Sequence, residues 1–204
     1  MFKSILKVLL IVFLIVAILI GSTFLYYSWK IGEVNTYNIE NFGDYDSNTE
    51  DYINKYGMTV FPKEIPEGVE VEEYYYGTSK SMIDFPGFCI YCRFKAKSEN
   101  DLNRELDRLN NSGAMVLPDE QNGITIYVIP ELLENPDFHF RQWYFDTEIV
   151  DGMAYFIDAA IVDSQGIIEY IYSLRWEGRS SAGNLYSDHF AHAIIEAYEK
   201  NLLN

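Results

Sequence analysis

Basic side chains are scarce in this chain. Fifteen Lys and Arg stand against 31 Asp and Glu in 204 residues, a formal charge of −16. A nucleic-acid partner needs the opposite sign and is excluded on that ground. Cysteine numbers two and histidine three. No G-x-S-x-G and no phosphate-cradling glycine loop occurs, so the common signatures of an activated nucleophile or a nucleotide site are missing. No internal repeat and no Pro-rich or low-complexity stretch breaks the chain, which by length holds one domain.

What the chain does have is one long apolar run. Fourteen of the sixteen residues from Ile5 to Ile20 are Ile, Leu, Val or Phe, with Lys3 and Lys7 at its front. On an insertion scale those side chains sum to about −4 to −8 kcal/mol. The run continues to Tyr27, and a helix over 8–27 covers roughly 30 Å, the thickness of a hydrocarbon core. Phe24, Tyr26, Tyr27 and Trp29 stand where an interfacial aromatic belt belongs. Lys3 and Lys7 place the N-terminus in the cytoplasm by the positive-inside rule.

A cleaved signal peptide is the competing reading. No A-x-A-like site follows, and no Cys that could carry a lipid, so an uncleaved single-pass anchor is expected. The expected organisation is a cytoplasmic tail at 1–7, a transmembrane helix at 8–27, a juxtamembrane linker with a short helix at 28–57, and an extracytoplasmic domain at 58–204. The chain after Lys30 carries all 31 acidic residues and 12 of the 15 basic ones, a formal charge of −19. Such a domain is repelled by anionic headgroups and is expected to stand off the membrane.

Seventeen Tyr and thirteen Phe favour strands. Alternation predicts strands over 69–76, 88–97, 123–129 and 141–149. Residues 154–162 and 167–176 read as a hairpin around Asp163-Ser164-Gln165-Gly166. Thr49-Glu50-Asp51 opens a short helix that ends before Gly57. Ser98 caps a second, with Asp101 three residues on and Leu102, Leu106 and Leu109 as its apolar stripe. A last helix runs from Ser187 to about Leu203. Phe61-Pro62 and Ile65-Pro66-Glu67-Gly68 read as turn punctuation. The expected fold is therefore α+β: an N-terminal transmembrane helix, then an antiparallel sheet with helices packed on one face.

Four groups of residues invite a chemical reading. Cys89 and Cys92 form a C-x-x-C, but inside a strand pattern they point to opposite faces and cannot bridge. His189, His192 and Glu196, at i, i+3 and i+7 of the last helix, share a face and form a two-His-one-carboxylate set that could hold zinc. A solvated polar face has the same appearance. Asp44-Tyr45-Asp46-Ser47-Asn48 begins like a calcium loop, but Thr49 replaces the required Gly and Lys55 the required Glu. His139 sits among Phe138, Phe140, Trp143, Tyr144 and Phe145, a cluster that fits a core or a ligand groove.

The segment Phe61-Pro62-Lys63-Glu64-Ile65-Pro66-Glu67-Gly68, the strand with Tyr74-Tyr75-Tyr76, the helix with Glu105 and Arg108-Leu109, and Ile167-Ile168-Glu169-Tyr170-Ile171-Tyr172 occur in an order that resembles an uncharacterised family of membrane-anchored extracytoplasmic proteins of Gram-positive Firmicutes. The resemblance spans residues 58–176, with Lys63 where the pattern prefers Glu. It implies a cell-envelope setting and carries over no catalytic residues. The expected function is a non-enzymatic binding module for an unknown protein or small-molecule ligand outside the membrane, with no cofactor. The alternatives are a zinc-dependent hydrolase on the His189–Glu196 face and an envelope thiol-redox protein.

Overall fold

The computed structural model describes residues 2–30, 32–80, 87–129, 154–176 and 184–202. Helix α1 (Phe2–Lys30) is followed by β1 (Gly32–Thr36), a 3-10 turn (Ile39–Asn41) and α2 (Ser47–Tyr56). Next come β2 (Val69–Lys80), β3 (Gly87–Ala96), α3 (Glu99–Asn110), β4 (Met115–Asp119) and β5 (Ile124–Val128). The hairpin β6 (Ala154–Asp163) and β7 (Ile167–Trp176) leads to α4 (Asn184–Leu202). Seven strands form one antiparallel sheet in the order β1-β2-β3-β7-β6-β5-β4. The chain is α+β, as its strand-rich pattern indicates. The expected strand over 141–149 and the aromatic cluster around His139 lie outside the described residues.

Local chemistry explains the boundaries. Ser98 Oγ accepts the Asp101 N–H at 3.2 Å and caps α3. Asp46 caps α2, accepting the Thr49 N–H at 3.0 Å. In the β6–β7 turn, Asp163 Oδ1 accepts the Gln165 and Ile167 N–H groups at 2.8 and 2.9 Å, and Gly166 takes φ 80°.

Two expectations are corrected. Residues 31–47 were expected to be linker, yet β1 pairs with β2 from Gly32↔Lys80 to Thr36↔Tyr76. Phe42 stacks near Phe61 and Tyr45 packs on Tyr76. An edge strand and a single turn have no amphipathic period, so the pattern gave no sign of them. Strand β1 therefore belongs to the same sheet as β2.

The helices, moreover, cover both faces of the sheet, not one. Register puts Phe88, Ile90, Cys92 and Phe94 of β3 on one face with Leu174, Tyr172, Tyr170 and Ile168 of β7. Tyr52 of α2 meets Phe88, Phe156 and Tyr172 there, and Arg108 of α3 lies over Tyr170. The other face shows Cys89 and Tyr91, paired with Ser173 and Ile171. There Tyr186 of α4 stacks on Tyr91 at 4.2 Å between ring centroids, and Phe190 packs edge-on to Tyr91. Phe190, Ala191, Ile194 and Ala197 are all buried.

Helix α1 differs from the rest. Its described side chains from Leu10 to Tyr26 are all exposed, and none joins the core. Among the described residues, no helix is long and apolar enough to cross a membrane. The backbone of α1 continues beyond this run, over 29 residues in all.

Two-sided cover has a measurable consequence. Phe94→Ala on one face and Phe190→Ala on the other should each cost about 3–5 kcal/mol in chemical denaturation. A loss near zero for Phe190→Ala would mean that α4 does not close the second face.

Candidate functional site

Asp158 stands alone as an acid within the apolar strand Phe156–Val162 and is 0% exposed. On β6 it lies opposite Tyr172 of β7, on the face covered by α2 and α3. Its carboxylate is held by the backbone of the segment leading to β2. Oδ2 accepts the Thr59 N–H at 2.7 Å and the Val60 N–H at 3.2 Å, and Oδ1 accepts the Phe61 N–H at 2.8 Å. Three amides on one carboxylate are what a buried acid needs in place of water.

Arg108 of α3 grips the same segment from its carbonyl side. Its Nη2 donates to Val60 O at 2.8 Å, and its Nε donates to Glu105 Oε1 at 2.6 Å. The Tyr170 hydroxyl donates to the same Glu105 oxygen at 2.5 Å. Tyr172 donates to Gly57 O at 2.8 Å. Phe61, fixed by this network, packs its ring edge-on to Tyr170 and Tyr172. Thus the segment read as turn punctuation is the strap that ties β6, β7 and α3 together.

The electrostatics follow from burial. Desolvation pushes the Asp158 carboxyl up to about 6, against the pull of the three amides and of Arg108. Burial raises the Tyr170 hydroxyl well above its ordinary range, and the adjacent Glu105 adds to this. Arg108 is desolvated too, but Tyr170 and Glu105 hold it firmly protonated. A carboxyl titrating near 6 is a common mark of an acid–base catalyst. Here both oxygens are occupied by backbone and none of the residue reaches solvent, so the group serves the fold.

His189 and Glu196 of the candidate zinc set each have another partner. His189 Nε2 lies 3.1 Å from Glu169 Oε2, and Glu169 also meets Arg93 at 3.4 Å. The hydrogen bond to Glu169 raises the His189 pKa. Glu196 pairs with Lys200 at 2.9 Å, and Lys200 reaches on to Asp119. His192 is exposed. Among the described residues, no group of three His, Cys, Asp or Glu is placed to hold a metal ion. The two ends of the set are drawn to opposite partners, which is the behaviour of a polar helix face.

Cys89 and Cys92 are both buried. They face opposite sides of β3, with Ser187 of α4 directed at the Cys89 sulfur. Burial, with Cys89 adding, pushes the Cys92 thiol well up, away from the thiolate that redox exchange uses. Asp46 of the calcium-like stretch is engaged by Thr49 and by the Thr78 hydroxyl at 3.1 Å.

Neither a protein-family model, nor a curated protein, nor a solved structure matches this chain. Phe61, Glu105, Arg108 and Tyr170 belong to the Asp158 strap. Asp158 itself had a sequence signal that went unused: an acid inside an apolar strand is rarely left unpaired.

Asp158→Asn keeps the shape but turns one acceptor into a donor facing a backbone N–H. It should cost about 1–3 kcal/mol in urea denaturation. The pH dependence has a definite sign. A folded pKa of about 6 against the ordinary 3.8 makes the protonated form the more stable one. This contribution is fully present below pH 3.8 and is lost as the pH rises through 6. The wild-type minus Asp158→Asn difference in stability should therefore fall across that window. A flat difference would mean that Asp158 keeps an ordinary pKa.

Proposed function

We propose that this chain is a single-pass membrane protein. Its N-terminus lies in the cytoplasm, and its acidic α+β domain lies outside, binding a partner without catalysing a reaction. The observation that carries the anchor is α1. Leu10, Phe13, Ile18, Leu19, Ile20 and Phe24 are each about 60–75% exposed and touch no core. Apolar surface of this extent needs a cover, and soluble proteins rarely leave it bare. With Lys3 and Lys7 ahead of it and 31 acids behind it, the helix is oriented by charge.

The binding role is supported by how the polar groups inside the domain are used. Asp158, Glu105, Arg108, Asp46 and Asp119 each hold backbone or neighbouring side chains. That leaves them with structural duties and turns attention to the domain's surface.

Fractionation of cells expressing the full chain tests this reading. The protein should stay in the membrane pellet through alkaline carbonate washing. Protease added to spheroplasts should remove the acidic domain without cell lysis. Recovery in the carbonate supernatant, or protection of the domain until lysis, would contradict it.

A further inference from the structure

The sheet ends in β1 on one side and β4 on the other. The β4 edge is guarded. Pro118 has no N–H, and Lys200 of α4 reaches Asp119 at the end of the strand. Strand β1 carries neither device. Among the described residues it pairs with β2 alone, and it holds no Pro and no Lys. Val34 at its centre is 55% exposed.

Ladder parity shows which backbone groups of β1 point outward. Just past β3 the Lys97 N–H donates to Gly68 O, and the Ala96 N–H donates to Gly166 O. Odd-numbered residues of β3 therefore turn their backbone groups toward β2, and even-numbered ones toward β7. Cys89 lies opposite Gly77 and Tyr91 opposite Tyr75, so odd residues of β2 bond β3. The even ones, Tyr76, Thr78 and Lys80, bond β1 through Thr36, Val34 and Gly32. The N–H and C=O of Glu33 and of Asn35 are left facing away from the sheet.

A second copy of β1, running antiparallel, meets these groups in one symmetric register. Glu33 of each copy then faces Asn35 of the other, so every outward N–H and C=O finds a partner and no acid opposes an acid. Val34 faces its own counterpart. That is a non-hydrogen-bonded pair, with Cα atoms about 4.5 Å apart and side chains at their closest. The neighbouring registers, centred on Glu33 or on Asn35, leave one outward residue of each copy without a strand partner.

We propose that β1 is a homotypic docking strand. Two copies of the chain join β1 to β1 about Val34 and form one continuous sheet. Five paired residues make a small contact beside the ~1,200 Å² of a stable interface. The charge of −19 on each domain also opposes it, over a screening length of about 8 Å. Attachment to one membrane raises the effective concentration against both. The strength of the pairing, though not its geometry, thus rests on the anchor reading of α1.

Spheroplasts expressing the full chain with Glu33→Cys, Val34→Cys or Asn35→Cys are oxidised with copper–phenanthroline, the native thiols being buried. Non-reducing electrophoresis should show disulfide dimer forming several-fold faster at 34 than at 33 or 35. Only position 34 meets its own copy within the roughly 4.4–6.8 Å between Cα atoms that a disulfide spans. Adding Glu33→Pro to Val34→Cys removes an outward N–H and no bond to β2, so the dimer yield should fall several-fold at an unchanged thermal midpoint. Added salt screens the repulsion and should speed dimer formation at 34. Equal rates at the three positions, no dimer at 34, a yield unmoved by Glu33→Pro, or slowing by salt would overturn the pairing. Oxidation precedes a carbonate wash, so the two readings separate. Chain in the supernatant contradicts the anchor, and the dimer pattern judges the pairing in either fraction.

Discussion

A carboxylate without water must find its donors in the protein, and Asp158 finds three of them in one turn of backbone. The converse is as strict. The amides of Thr59, Val60 and Phe61 are in neither helix nor strand, so they too need acceptors. Each side answers the other's requirement. Arg108 then completes the grip by taking the Val60 carbonyl and leaning on Glu105 and Tyr170. The strap sets Phe61 against the sheet tyrosines. It also joins a segment before β2 to β6, nearly a hundred residues on. Removing one member leaves buried partners exposed to no solvent, which is why such networks respond sharply to single substitutions.

The abundance of tyrosine has the same logic. A buried Tyr packs like Phe but carries a hydroxyl that must be satisfied. Tyr172 reaches Gly57 O, and Tyr170 reaches Glu105. Tyr76 receives the Asp46 N–H, and Tyr186 reaches Glu73. The rings of Tyr76, Tyr170 and Tyr172 are buried in the core and their hydroxyls pin the start of α2, helix α3 and the strap, whereas the Tyr52 and Tyr74 hydroxyls have no hydrogen-bond partner among the described residues. Tyr75 adds a tighter case. Its hydroxyl bonds Asn35 and lies over Gly77, where a Cβ would collide with it at 2.0 Å. Edge strand β1 is thereby fixed to β2 by a side chain as well as by its ladder.

Alternation along the chain was enough to place strands β2 and β3, the β6–β7 hairpin and the capped helix α3, because period and caps are local signals. The arrangement of layers was harder to read. Phe88-Cys89-Ile90-Tyr91-Cys92 is apolar on both parities, and all five residues are buried. A strand covered on one face alternates, whereas one covered on both reads as a continuous run. The alternation of Phe88, Ile90, Cys92, Phe94 and Ala96 with Arg93, Lys95 and Lys97 reads as one apolar face, whereas the structure covers both. The polar side of α4 was legible as well: His189, His192 and Glu196 face outward, while Phe190, Ala191, Ile194 and Ala197 face the sheet. Whether such residues converge on an ion depends on what the neighbouring strands present. Glu169 of β7 and Asp119 of β4 could not be assigned to that neighbourhood without the topology. The strap itself joins residues far apart in sequence, which no local pattern encodes.

The strap holds β6, β7 and α3 together on the face covered by α2 and α3. The most direct test of the strap is amide hydrogen exchange at Thr59, Val60 and Phe61. If Asp158 holds them as described, these three amides exchange as slowly as those of β6 and β7, and they speed up together in Asp158→Asn. Exchange at the rate of an open surface loop in the wild type would contradict the account.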